Sequence, residues 1–128
     1  MAHLIYAQDT GKLYNSVSPS NQPIGEGYAG AGEHRNNPES QCISNLGPIP
    51  RGWYSVGELE DIDGMPAFLR LTPDSSNDMC DRSGFLIHGD SATRPGWASE
   101  GCIIMPRSVR ELIAESDVDR IQVLRSYS

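Results

Sequence analysis

The chain has 128 residues, a mass of 14.0 kDa, a net charge of −7 and a pI near 4.8, which fits a single domain over 1–128 with one modest core. Hydrophobic residues at 38% exclude wholesale disorder. The acidic balance, with Lys12 the sole lysine, argues against a nucleic-acid partner, and no apolar run approaches the ~20 residues of a membrane helix, so no membrane insertion is expected.

Glycine (13) and proline (9) together exceed the roughly 12% average and favour turns and short strands over a helix bundle. Met1-Ala2-His3-Leu4-Ile5-Tyr6 lacks the basic start and long apolar stretch of a secretory signal. Work outside the cytoplasm would therefore need another export route. Leu4–Gln8 and Lys12–Asn15 read as a hairpin around Asp9-Thr10-Gly11, followed by a polar loop over Ser16–Pro23. The glycine-rich Gly25–Gly32 lacks the Gly-Lys-Ser/Thr ending of a phosphate loop and predicts a tight, irregular path. Asn36-Asn37-Pro38 and Gly47–Gly52 mark turns. Trp53–Val56 and Ala67–Leu71 are β-like, separated by an acidic turn ending at Asp63-Gly64, and Pro73–Ser83 is a polar loop.

Phe85-Leu86-Ile87 predicts a buried strand running straight into His88, and Cys102–Met105 predicts a second one. The long Gly89–Gly101 connection between them has the length of a functional loop. Pro106 and the Ser108–Glu111 capping-box spacing open a helix near residues 106–116, with Val109, Leu112 and Ile113 as its apolar face. Asp119–Arg125 alternates as a last strand would. The expectation is a mostly-β domain of sandwich or barrel type with one short, late helix.

Three cysteines, Cys42, Cys80 and Cys102, leave at least one thiol without an internal partner. A strand ending at His88 beside a strand starting at Cys102 brings an imidazole and a thiol to one sheet edge. The imidazole can then take the thiol proton and activate sulfur as a nucleophile. Gly101, lacking a β-carbon, would let a substrate carbonyl come close, with the N–H groups of Gly101 and Cys102 as an oxyanion hole. Asp90 would orient the imidazole or meet a cationic group. A zinc site drawing on Cys80, His88, Cys102, Asp78, Asp81 or Asp90 is an alternative, although no close ligand pair of the usual spacing is present. A non-catalytic binding surface of Tyr28, Trp53 and Trp97 is another. Cys42 and Cys80 are either two separate buried thiols or a bridge formed in an oxidising compartment.

Ile87-His88-Gly89-Asp90 followed by Ser99-Glu100-Gly101-Cys102-Ile103 resembles the active-site signature of the L,D-transpeptidase superfamily. Upstream, Thr10–Tyr14, Gly27–Gly32, Asn36-Asn37-Pro38 and Gly47–Tyr54 follow in order, and the whole string is similar to the L,D-transpeptidase-like effectors of type VI secretion. The resemblance implies a single L,D-transpeptidase-like catalytic domain that acts on peptidoglycan tetrapeptide stems at the bond between the diamino acid and terminal D-alanine. It makes Cys102 the nucleophile and His88 the general base, with Ser99, Gly101 and Asp90 in support. Tyr28, Asn37, Trp97 and Glu100 are the candidate substrate contacts. Glu100 and Ile104 depart from the many housekeeping superfamily members that carry histidine or arginine before the Gly-Cys and a polar or basic residue two places after the cysteine. No metal or cofactor is implied. An effector made in the producer's cytoplasm and injected into a target-cell periplasm needs no signal peptide, and a dedicated immunity protein is the expected partner beside the secretion apparatus.

Overall fold

The computed structural model describes residues 2–19, 21–62 and 64–127; Met1, Ser20 of the predicted polar loop, Asp63 of the predicted acidic turn and Ser128 lie outside the described residues. Its elements are β1 (Leu4–Ala7), β2 (Lys12–Asn15), β3 (Gly25–Glu26), β4 (Gly52–Ile62), β5 (Met65–Pro73), β6 (Leu86–His88), β7 (Ile103–Ile104), α1 (Arg107–Glu115) and β8 (Arg120–Leu124). Short 3-10 helices span Gly32–His34 and Pro38–Ser40. The strands form one curled sheet in the order β3-β2-β1-β8-β4-β5-β6-β7. The mostly-β expectation holds, and the curl of one sheet does the work of a barrel wall.

β1 is buried along its whole length because both of its faces are covered. Leu4 and Tyr6 join the main core with Leu13, Ile49, Tyr54, Leu69, Ile87, Ile103, Ile121 and Val123. Ile5 and Ala7 pack on the other side with Tyr14, against Leu124 and Tyr127. β1 and β2 form the predicted antiparallel hairpin, and β1 also runs parallel to β8. The burial of β8 alternates, as its sequence predicts.

Three expectations change. β4 and β5 run well past the predicted segments, to Ile62 and from Met65. The acidic stretch Glu58–Asp61 is strand, exposed on the surface, because backbone pairing with β5 sustains it without burial. The capping box does not form: Pro106 precedes the helix, its carbonyl accepts the N–H groups of Val109 and Arg110, and Glu111 pairs with Arg107 at 3.3 Å. The buried face of α1 is Val109, Arg110 and Ile113, while Leu112 is 50% exposed. Arg110 turns inward because backbone carbonyls of Met105, Pro66 and Ala67 receive its guanidinium.

The tip of the β4–β5 hairpin is shaped by a register shift between Glu60 and Ile62. Ala67 takes a left-handed φ of 56° there, with its N–H bonded to Asp61 Oδ1 at 2.6 Å. Such a bulge bends the ribbon, and it carries Gly64 and Pro66 to the rim of the cleft that holds His88.

Candidate functional site

β6 and β7 pair in parallel, with Ile87 opposite Ile103 and His88 opposite Ile104. Both Ile87 and Ile103 are wholly buried in the core, so pleat alternation turns His88 to the other face. Continued one residue back, the register sets Cys102 against Leu86, and the Leu86 N–H meets Sγ at 3.3 Å. Ordinary strand spacing and rise then leave the His88 and Cys102 backbones roughly 8 Å apart on one side of the sheet. Among the described residues the thiol's hydrogen bonds go to the Leu86 N–H and the Gly84 carbonyl, at 3.3 and 3.8 Å, and not to the imidazole.

The imidazole is oriented by its own chain. His88 Nδ1 lies 2.8 Å from the Gly89 carbonyl, which can only accept. The proton is therefore on Nδ1, and Nε2 is left as a base. Burial, with Arg110 adding to it, pushes the imidazole below the ordinary histidine range, against the Gly89 bond and the charge of Asp90. Burial pushes the Cys102 thiol up, a shift that the Leu86 bond and the Arg82 cation only partly offset. The resting pair is a neutral thiol and a neutral imidazole.

Each group opens into its own cleft. His88 lines a cleft of about 550 Å³ with Gly89, Asp90, Ala98 and Arg110. Cys102 lines one of about 320 Å³ with Asn45, Arg82, Phe85 and Glu100. The sequence expectation of one shared mouth thus resolves into two clefts, because β6 and β7 pair in parallel, which separates a strand end from a strand start, and the thiol turns toward the Gly84–Leu86 backbone.

The supporting residues are brought together, in roles that differ from those expected. Ser99, 1% exposed, accepts the N–H groups of Gly30 and Gly101 and donates to the Cys102 carbonyl. The Gly101 N–H is thereby engaged and is not free as an oxyanion donor. Glycine is required at 101 for another reason: its φ is +139°, and a Cβ there would lie 2.4 Å from Arg82 Nη2 and 2.8 Å from the Phe85 ring. Asp90 makes no hydrogen bond to His88 among the described residues. Its carboxylate takes the Tyr28 hydroxyl at 2.6 Å and the N–H groups of Ser91 and Gly96, closing the Gly89–Gly101 loop on itself. Burial opposes its charge, yet those bonds hold the carboxyl below the usual range.

Of the expected substrate contacts, Glu100 reaches the thiol cleft. The Tyr28 hydroxyl, pushed up to about 12 by burial and then by Asp90, stays protonated and ties Asp90 to the Ala98 N–H. Asn37 caps the 3-10 helix Pro38–Ser40 by accepting the Glu39 N–H. Trp97, 56% exposed, sits with Gly32, Arg35 and Gly96 under the Arg94 guanidinium. Neither Asn37 nor Trp97 lines the His88 or the Cys102 cleft.

Sequence reasoning missed Arg82 and Arg110. Arg82 donates to the carbonyls of Gln41, Gly47, Pro48 and Glu100 at 2.6–3.0 Å and lies over the Phe85 ring. Nothing in the sequence separates it from the other arginines, since its partners are all backbone. Cys42 and Cys80 are bonded to each other, leaving Cys102 the free thiol. That bond settles the open pairing and removes Cys80 from any zinc site. Among the described residues no three His, Cys, Asp or Glu side chains gather as a metal-ligand group.

Fold and site together define a class: a mostly-β protein with one free thiol and one carbonyl-anchored imidazole on paired parallel strands. A family model described as the Tlde1 domain matches residues 24–125. The chain belongs to that family, type VI secretion effectors of L,D-transpeptidase-like character with peptidoglycan-related activity. No curated protein and no solved structure matches the chain.

Proposed function

We propose that the protein is a cysteine L,D-transpeptidase and L,D-carboxypeptidase that cleaves the bond between the diamino acid and D-alanine of peptidoglycan tetrapeptide stems. The observation that carries this is the free Cys102 thiol on the same side of the β6–β7 pair as a neutral His88 whose Nδ1 is committed to Gly89. Nε2 takes the S–H proton as Sγ attacks the diamino acid carbonyl. Pleat alternation points both side chains to one side of the sheet, and the reaction requires Sγ to turn from the Gly84–Leu86 backbone toward Nε2. The Cys102 N–H is the remaining nearby donor for the oxyanion. Collapse breaks the C–N bond, and the Nε2 proton passes to the amine of D-alanine. Water resolves the thioester to a tripeptide; a free D-amino acid or a second stem resolves it to an exchanged or cross-linked product.

In the thiol cleft, Glu100 and Asp81 supply carboxylates beside Cys102, suited to the ammonium of the diamino acid. The family supports delivery to a target-cell periplasm, and protection of the producer by an immunity protein is part of the same proposal. The test is incubation of purified protein with tetrapeptide muropeptides, read by mass. Loss of one D-alanine is expected, with a thioester adduct on Cys102 and no turnover by Cys102→Ala or His88→Gln. Unchanged muropeptides, or turnover that survives Cys102→Ala, would overturn the reading.

A further inference from the structure

Arg110 is 7% exposed, and among the described residues no carboxylate pairs with it. Its hydrogen bonds are Nε to Met105 O at 3.1 Å and Nη1 to Pro66 O at 3.0 Å and Ala67 O at 2.7 Å. Arg82, by contrast, uses both of its terminal nitrogens on carbonyls. Nη2 of Arg110 has no such partner among the described residues. It lies against Gly89, where an added Cβ would meet it at 2.8 Å, and the side chain lines the His88 cleft. Its positive charge helps hold the imidazole neutral. A buried guanidinium with donors to spare, facing an open cleft, is built for a planar anion.

The proposed reaction states which anion lies there. His88 returns its proton to the leaving amine, so that amine must come within hydrogen-bond reach of Nε2. In an amino acid the α-carboxylate is one carbon away from the amine, so the leaving group's carboxylate falls in the His88 cleft and not in the cleft of Cys102. We propose, on the basis of that reaction, that Arg110 binds the α-carboxylate of the departing D-amino acid and of the D-amino acid that replaces it in exchange. The cleft thereby selects stems that end in a free carboxylate and rejects stems whose terminal residue is amidated or extended.

The test compares tetrapeptide stems ending in D-alanine and in D-alaninamide, with release read by mass, for the wild type and for Arg110→Met. The wild type is expected to favour the free acid by about ten- to a hundred-fold in kcat/KM, the size of one charge-assisted bond. Arg110→Met should treat the two stems alike while Cys102 still reacts with iodoacetamide. Arg110 also holds the Pro66 and Ala67 carbonyls, so a second measurement uses the wild type alone. Saturating D-lactate, which carries the carboxylate without the ammonium of D-alanine, should raise the NMR titration midpoint of the His88 ring, and D-lactamide should not. Equal turnover of acid and amide by the wild type, a preference that survives in Arg110→Met, or a His88 midpoint unmoved by D-lactate would overturn the assignment. Failure of the wild type to release D-alanine from either stem would instead overturn the proposed reaction, and the D-lactate titration then reads the carboxylate site by itself.

Discussion

Ser99 Oγ donates to the carbonyl of Cys102 at 2.6 Å and at the same time accepts the N–H groups of Gly30 and Gly101 at 2.9 and 3.0 Å. One buried hydroxyl thus joins the glycine-rich segment after β3 to the backbone of the nucleophile. Ser99→Ala would strand three backbone groups, each costing about 1–3 kcal/mol if left without a partner. Urea unfolding should show a stability loss of at least one such group, and acyl-enzyme formation should slow with little change in KM. Unaltered stability and rate would show that the bond network is dispensable.

The protonation states give a pH profile with a definite sign. His88 acts as a base only when neutral, and burial lowers its folded pKa. Acylation should therefore hold its rate from neutral pH down through the ordinary histidine range, and fall only below it. The thiol is raised by burial, so alkylation by iodoacetamide in His88→Gln should accelerate only above the ordinary cysteine range. A low-pH alkylation plateau in that variant would contradict a neutral resting pair.

Arg82 partly counters the upward push on Cys102 and anchors four carbonyls around it. Arg82→Met should move the thiol titration further up. It should also destabilise the fold by more than the about 1.5–3 kcal/mol of one hydrogen bond to a charged group. Arg82→Lys keeps the charge but cannot span four acceptors, so it should restore the titration more fully than the stability. Thiol titration and thermal unfolding on the same variants separate the two effects.

The Cys42–Cys80 bond closes a loop with a sequence separation of 38. Chain-entropy arguments assign a bridge of this span about 4 kcal/mol. Its two ends lead into Ser44 and Asn45 on one side and Asp81 and Arg82 on the other, all at the Cys102 cleft. Reduction in a Cys102→Ser background should lower the urea midpoint. Cys42→Ser/Cys80→Ser with Cys102 intact should lower the acylation rate as well. Equal midpoints with and without reductant would show that the bridge contributes nothing.

Much of this protein was legible from local pattern alone. The β1–β2 hairpin, the strands at β6 and β8, and a helix after Pro106 follow from apolar periodicity and turn residues, because those signals span only a few neighbouring positions. His88 and Cys102 stood out as a strand end and a strand start joined by one long loop; sharing an edge is what antiparallel neighbours would do, whereas β6 and β7 pair in parallel and set Cys102 level with Leu86, two residues from His88. What tertiary structure alone decided were interactions whose partners are backbone groups far along the chain. Arg82 is bonded to residues around Gly47, Arg110 to the bulge at Ala67, and Ser99 to Gly30. A carbonyl or an N–H is present at almost every position, so nothing in the residue letters marks which of them will receive a side chain. The same holds for the Cys42–Cys80 pairing, and for Gly101, whose missing β-carbon makes room for Arg82 and Phe85.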